Sequence, residues 1–495
     1  MCGICGYFGE NVSGFPLPIE KLRHRGPDGS GVVSGPHFKF GHTRLAIIDV
    51  SGGVQPMSNS NGTVCIVYNG EVYNFRSLRA ELEKEYEFKT NSDTEVILHL
   101  YEKEGPAGLT RLDGMFALAI VDMRGRDARL ILARDPLGIK PLYIKTNDQY
   151  LFFASELKAF DSITDVIEFP PGHIFIVDEG YHAYYKIPAD CRNDLNWKDT
   201  LSEIRMRLIK AVVKRLMSDV PLGSFLSGGL DSSLITALMK LGREKFHTFS
   251  VTLEKSSDRH YAQLAAKYLD TMHHEIVVTP GEIWEALPKV IFHLESFDQS
   301  LVRSAVANYF LAKAAAEEVK VVLTGEGADE LFAGYEYLER FREPGDLHRE
   351  LWDITNALHN TNLQRVDRLT MAHGLEARVP FLDTEVIDLA MGIPPDFKRN
   401  TMDGITKWCL REAFRDDGLL PDEIIGRDKE KFAEGSGFAR ILQQMVMEKT
   451  SDAGYIRELE RKTPLRSREE YYYFDIFCSH FGRDQAMSLV GRSKS

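Results

Sequence analysis

Between Lys186 and Asp199 the chain reads KIPADCRNDLNWKD, polar and without periodicity, and the texture on its two sides differs. Upstream, short β-type runs are divided by Gly, Pro and Asn turns: KFGHTRLAIID, GTVCIVYNGEVY, MFALAIVDMRG, RLILARDPLG and YLFFASE. Two helical patterns, NFRSLRAELEKE and SDTEVILHLYEKEG, sit among them, a mixture that reads as α+β with extensive antiparallel sheet. Downstream, strand-like and helical segments alternate: VPLGSFL, then SSLITALMKLG, then FHTFSVTL, and later VKVVL before ADELFAGY. That alternation argues for an α/β domain with a parallel sheet, followed over roughly 340–485 by a mostly helical part. Thr200-Leu-Ser-Glu203 fits a capping box, and Leu201, Ile204, Leu208, Val212 and Leu216 then recur at helical spacing. The chain of 495 residues is too long for one core, and the break predicts two domains, 2–190 and 200–485.

The formal net charge of −13 makes a general nucleic-acid binder a poor fit and leaves room only for a local basic pocket. The apolar runs are strand-sized, so no membrane span is expected. The first residues show no basic region followed by an apolar one, and the last, GRSKS, match no anchoring signal, so neither secretion nor lipid attachment is expected. Six scattered cysteines do not form a disulfide framework, which points to a reducing cytoplasm. Ser, Gly and charge content mark parts of 250–260 and 428–437 as loops.

SFLSGGLDSS (224–233) joins an apolar strand to a helix through Ser227-Gly228-Gly229-Leu230-Asp231-Ser232. Two glycines allow backbone N–H groups to approach an anion, and the helix N-terminus favours negative charge there. The spacing is not that of a Walker loop. Asp231 in such a loop repels phosphate unless a Mg2+ ion lies between them; alternatively the stretch is a strand–helix turn with a capping Asp. After VKVVL comes Thr324-Gly325-Glu326-Gly327-Ala328-Asp329-Glu330. Parallel strands end along one sheet edge, so Asp329 is placed to join Asp231 on a hard cation and Glu326 to stand near the reacting centre. Acidic capping of the next helix is the bland alternative.

SGGLDS resembles the pyrophosphate loop of N-type ATP pyrophosphatases. With TGEGADE, GLEARVPFLD (374–383) and TKWCLREAF (406–414), the second half resembles the synthetase domain of glutamine-hydrolysing asparagine synthetases. The resemblance implies activation of the aspartate β-carboxylate as β-aspartyl-AMP, with ATP and Mg2+ required. It places Ser227, Gly228, Gly229, Asp231 and Ser232 on the pyrophosphate and Asp231 and Asp329 on the metal. Leu226, Val251, Thr324 and Gly325 then line the nucleotide pocket, Lys407 contacts the phosphates and Glu326 acts as base. Arg303 grips the aspartate. Without the resemblance Lys407 reads as an exposed helical lysine.

The first residues, MCGICG, carry two meanings. Cys2-Gly3-Ile4-Cys5 has the spacing of a zinc half-site or dithiol centre, but Cys65, Cys191, Cys409 and Cys478 are singletons and no strand precedes the pair. With Met1 removed, Cys2 instead offers a thiol and an α-amine of pKa about 8, a nucleophile and base on one residue. Cys5 then reads as a small apolar residue of the first strand. Asn69-Gly70 supplies a side-chain amide and a backbone N–H for an oxyanion, although NG on spacing alone reads as a type I′ hairpin turn. Arg44 suits an α-carboxylate, and Glu71 and Asp93 an α-amine; each alone is an ordinary surface or capping charge.

Taken together, MCGICG, RHRGPDG, RLAIID, YNGEVYN, SDTEVIL, LDGMFALAI, RDPLGIKPLY and FASELKA resemble the N-terminal-nucleophile glutaminase of class II glutamine amidotransferases. The implied architecture is an αββα sandwich followed by an ATP pyrophosphatase domain, with glutamine, aspartate and ATP as substrates and ammonia passed internally. Neither nucleic acid nor membrane is an expected partner, and a homodimer is the assembly held open. The alternatives are a related amidotransferase with a different carboxylate acceptor, as in secondary-metabolite or cell-envelope amidation, and a scaffold that keeps the fold without the chemistry. A β-lactam synthetase typically lacks the terminal Cys that this chain carries.

Overall fold

The computed structural model describes residues 2–192, 194–253, 258–400, 403–427, 437–483 and 485–494. Much of the two loops marked by composition, 254–257 and 428–436, lies outside the described residues. Two six-stranded antiparallel sheets form the first half. One runs in the order Val166–Glu168, Tyr143–Thr146, Tyr150–Ala154, Gly3–Gly9, Phe38–Arg44, Gly29–Ser34. The other runs Gly180–Ala183, His173–Ile176, Arg129–Arg134, Gly114–Asp122, Val64–Val72, Met57–Ser58.

Strand alternation decides what each face touches. Ile4, Phe40, Leu151 and Phe153 of the first sheet meet Cys65, Val67, Ala117, Ala119 and Leu132 of the second in a closed inter-sheet core. Tyr68, Phe116, Leu118 and Ile120 face the other way, onto the helices Phe75–Leu82 and Asp93–Glu104. Burial on both faces explains why GMFALAIVD is a continuous apolar run rather than an alternating one. The outer face of the first sheet, with Cys5, Tyr143, Phe152 and Ala154, packs into a cluster completed by the helices Pro280–Leu294, Gln299–Ala315 and Arg468–Phe481. The second helical layer of the sandwich is therefore drawn from the other half of the chain. Cys5 lies fully buried in that cluster, an apolar residue as its strand position implies.

The second half is built on a five-stranded parallel sheet in the order Met272–Val277, His247–Thr252, Leu222–Phe225, Val321–Leu323, Glu376–Arg378. The chain moves outward on one side of Leu222–Phe225 and returns on the other, so the crevice beyond Phe225 and Leu323 is a topological switch point. The edge strand Glu376–Arg378 lies inside GLEARVPFLD, where three residues give no readable period.

The first helix of this half begins a turn earlier than the capping box predicts. It spans Trp197–Lys214, and Asn196, not Thr200, is the N-cap, accepting from Asp199 N at 3.0 Å. Packing overrides the local signal: Trp197 stacks 4.2 Å from Trp408 and meets Phe397, while Thr200 is buried within the helix and donates back to Asn196 O.

Charge joins the halves as well as apolar contact. Arg25 is fully buried and its Nη1 donates to Glu156 at 2.6 Å and to Asp367 at 2.8 Å. Asp367 also takes Arg25 Nη2 at 3.2 Å, Arg368 Nη1 at 3.2 Å and Lys140 at 3.4 Å. Burial by itself would raise the Asp367 carboxyl, but Arg25 and Lys140 outweigh it and hold the group at about 2. Asp367→Ala leaves these cations uncompensated in the interior and should cost about 3–5 kcal/mol, read as a lowered urea midpoint with unchanged m.

Candidate functional site

Two centres emerge. The first lies at the sheet ends beside Cys2, in a small cavity lined by Cys2, Arg44, Tyr68, Gly70, Glu71 and Asp93 among others. Cys2 N donates to Asn69 Oδ1 at 2.9 Å, which fixes the amide orientation and turns Asn69 Nδ2 the other way. Nδ2 is buried with no hydrogen-bond partner among the described residues, an unused donor on the side chain that Cys2 N holds. Burial raises the Cys2 thiol above its ordinary value. Asn69-Gly70 is not a hairpin turn: both residues sit within the strand Val64–Val72, opposite Ala117 and Phe116. The apolar runs on either side impose the strand, and Gly70 is needed because a Cβ there would lie 2.2 Å from Met115 O.

Arg44 is held by loop carbonyls, donating to Asp49 O at 2.7 Å and Val50 O at 2.8 Å. Glu71 and Asp93 are not surface charges but buried ones. Asp93 opens the helix Asp93–Glu104, whose N-cap is Ser92, and accepts from Tyr68 Oη at 2.9 Å and Val72 N at 3.2 Å. Burial raises Asp93 to about 6 despite those donors. Glu71 is raised well above the carboxylate range by burial, then by the charge of Glu376, and its nearest cation, Arg378, stands 3.7 Å away. Two buried carboxyls pushed upward together suit a bound ammonium, which would lower both.

Arg25 lies in the motif RHRGPDG, and nothing in that motif points to its role. Arg25 Nε donates to Cys2 O at 2.9 Å, so the Cys2 backbone is held by a side chain of the junction between the two halves.

The second centre is a cavity of about 280 Å³ at the switch point. Its wall includes Leu226, Ser227, Gly229, Asp231, Ser232, Val251, Arg303, Thr324, Gly325, Glu326, Asp329 and Lys407. Gly228 is the one proposed phosphate-loop residue off that wall. Its φ is 76°, and a Cβ would lie 2.3 Å from Ala262 N, so it shapes the loop from behind. The two loops touch because Gly325 has no side chain: a Cβ would lie 2.8 Å from Ser232 N.

Lys407 is not an exposed helical lysine. It is 2% exposed, sits at the N-cap of Trp408–Phe414 with φ 54°, and its Nζ lies 2.5 Å from Asp231 and 2.6 Å from Asp329. Gly334 admits the pair, since a Cβ there would fall 2.0 Å from Asp329 Oδ1. Both carboxylates thus converge on one cation, and an all-oxygen pair is a donor set that would suit a hard cation such as Mg2+. Among the described residues no group of three His, Cys, Asp or Glu is arranged as a metal cage.

Glu326 is paired with Arg365, and Arg303 with Glu469 through two bonds of 2.8 and 2.7 Å. A substrate carboxylate would therefore share Arg303 with Glu469. Glu330, also without an assigned role, is buried in the same wall and bonded by Tyr335 Oη at 2.6 Å and Asn362 Nδ2 at 2.8 Å. Burial raises it to about 7, with Asp329 adding to the shift.

Comparison with known proteins follows the same division. A glutamine amidotransferase domain model matches residues 1–182, and an asparagine synthase model matches 203–346 and 339–492. Asparagine synthetase [glutamine-hydrolyzing] 3 of Arabidopsis thaliana is 39% identical over 519 residues, covering 99% of this chain and 89% of the relative. Asparagine synthetase [glutamine-hydrolyzing] of Zea mays is 39% identical over 521 residues, covering 99% of this chain and 88% of the relative. Asparagine synthetase B [glutamine-hydrolyzing] of Escherichia coli K12 is 38% identical over 526 residues, covering 99% and 93%.

Replacing Lys407 with Met removes the buried cation that Asp231 and Asp329 share. The expected result is a loss of roughly 3 kcal/mol of stability, with the lost Tm partly restored by millimolar Mg2+ and not by the same concentration of K+.

Proposed function

The chain belongs to the family of glutamine-hydrolysing asparagine synthetases, and from that premise we propose how its two centres divide the work. It is an enzyme that makes L-asparagine from L-aspartate with ATP, taking the nitrogen from glutamine. Among the described residues no helix is long and apolar enough to cross a membrane. A cytoplasmic enzyme fits its cysteine usage.

In the first centre, removal of Met1 makes the Cys2 nitrogen an α-amine. That amine takes the thiol proton as Sγ attacks the glutamine amide carbon. Asn69 Nδ2 and the Gly70 N–H stabilise the oxyanion; collapse to a thioester releases ammonia, and water then releases glutamate. Arg44 pairs with the glutamine α-carboxylate, and Glu71 and Asp93 with its α-amine. The observation carrying this reading is the buried, unpartnered Nδ2 of Asn69, oriented by its own Oδ1 bond to Cys2.

In the second centre the aspartate β-carboxylate attacks the α-phosphorus of ATP, giving β-aspartyl-AMP and pyrophosphate. Ser227, Gly229 and Ser232 hold the leaving pyrophosphate, Gly228 fixes the loop behind them, and Leu226, Val251, Thr324 and Gly325 hold the nucleotide. Lys407 moves from the two carboxylates to the phosphates when ATP arrives. Asp231 and Asp329 would hold Mg2+, which when bound would supply charge neutralisation to the phosphates. Ammonia passed from the first centre attacks the activated carbonyl, Glu326 accepts the proton, and AMP departs. Arg303, oriented by Glu469, receives the aspartate.

Glutamine, aspartate, ATP and Mg2+ should yield asparagine, AMP and pyrophosphate in equal amounts; formation of ADP instead would remove the adenylate step. Cys2→Ala should abolish glutamine use and leave ammonia-dependent synthesis, whereas Asn69→Ala should lower glutaminase kcat about 10²–10³-fold. Cys5→Ala should leave glutaminase largely intact. Asp93 binds an ammonium only when ionised, so the glutamine KM should rise as pH falls below about 6. That rise should be lost in Asp93→Asn.

A further inference from the structure

Residues 492–494 run along the rim of the synthetase cavity and form part of its wall. One end of this stretch is anchored in the interior. Ser493 donates to the Asp298 carboxylate twice, from N at 3.1 Å and from Oγ at 2.7 Å, and Arg466 donates to Ser493 O at 2.7 Å. Asp298 is buried and caps the helix Gln299–Ala315, accepting from Leu301 N at 2.9 Å. That helix carries Arg303. Arg492 donates to buried Glu470 at 2.5 Å, one residue from the Glu469 that holds Arg303.

The other end crosses to the helix Pro344–Asn356, where Lys494 Nζ donates to Glu350 at 3.0 Å and Asp353 at 2.9 Å. Glu350 in turn accepts from Tyr337 Oη at 2.9 Å, and Tyr337 lines the cavity. Lys494 and Asp353 are each 42% exposed, so that pair is open to water and salt, whereas Glu350 is 9% exposed and Asp298, at the other end, 1%. The stretch is thus held at Ser493 by a fully buried carboxylate and at Lys494 through a pair with Asp353 that water reaches from both sides.

We propose that residues 492–494 form a releasable strap over the acceptor end of the synthetase cavity, with Lys494 as the positioning residue that holds it shut. The inference rests on assigning this cavity to ATP and aspartate. The nucleotide end is the Leu226–Ser232 loop with Val251; the strap instead binds the helix that presents Arg303. Closed, it sets Arg303 and Arg492, each already held by its own carboxylate, as a preorganised cationic wall for a dicarboxylate. Release of Lys494 opens that wall for aspartate to enter without disturbing the phosphate loop.

Steady-state kinetics of the full chain, with ammonia as nitrogen source, test this. Lys494→Ala should raise the aspartate KM roughly 5–10-fold while the ATP KM stays within about twofold, and Lys494→Arg should restore it. Added KCl should raise the aspartate KM more steeply in the wild type than in Lys494→Ala, because the wild type has a salt-sensitive tether to lose. Glutaminase activity, measured in parallel, reports that the variant is folded. An unchanged aspartate KM, aspartate and ATP KM values rising together, or equal salt slopes would overturn the strap. A wild-type chain that makes no asparagine from aspartate would overturn the assignment on which it rests.

Discussion

A set of charges buried between the two halves governs the rest of the structure. Arg25, Lys140, Lys158 and Arg368 face Glu156, Glu295 and Asp367 with almost no water. Removing such ions from solvent is expensive, and only complete pairing offsets it. Here each carboxylate meets at least two cations: Glu156 takes Arg25 and Lys158, Glu295 takes Lys158 and Arg368, and Asp367 takes Arg25, Lys140 and Arg368. Four basic groups against three acidic ones leave an excess, and burial pushes the Lys140 ammonium below the ordinary amine range, the direction that relieves it. Such a network tolerates one arrangement of the halves and penalises the others.

That constraint reaches both sites. Arg25 serves the network and Cys2 O at once, so Cys2 is only as well placed as the domain junction. Arg378 on the edge strand of the parallel sheet stands 3.7 Å from Glu71, so the charge balance of the first site also depends on the second half. An isolated first domain would keep the bond from Arg25 to Cys2 O but lose the Asp367 contact that braces Arg25 and the Arg378 charge beside Glu71.

What the sequence made readable and what it left hidden follow from the range of the forces involved. SGGLDS and TGEGADE were legible because anion binding needs Gly and hydroxyl side chains at fixed local spacing, and adjacent parallel strands bring the two loops together without further information. Lys407 was legible only by resemblance: it lies 176 residues from the Asp231 it meets, and nothing in TKWCLREAF marks it as buried. Local rules failed where packing outvoted them. The NG pair became strand because apolar runs flank it, and Thr200 lost its capping role to Asn196 because Trp197 had an aromatic site to fill. Arg25 had no local signal at all, since Asp367, its main partner, is 342 residues away. Glu469, which occupies Arg303, is likewise a long-range partner invisible to any motif.

The helix Asn362–Met371 shows how the two chemistries share one scaffold. Arg365 turns to Glu326 in the synthetase wall, while Asp367, two residues on, turns to Arg25 beneath Cys2. Two residues advance an α-helix by about 200°, so these side chains leave opposite faces of a single rigid element. Nearly every residue of the helix is buried, which leaves it little freedom to shift toward either centre alone. One wall therefore serves both centres, and the geometry beside Cys2 and that around Glu326 are referenced to the same backbone.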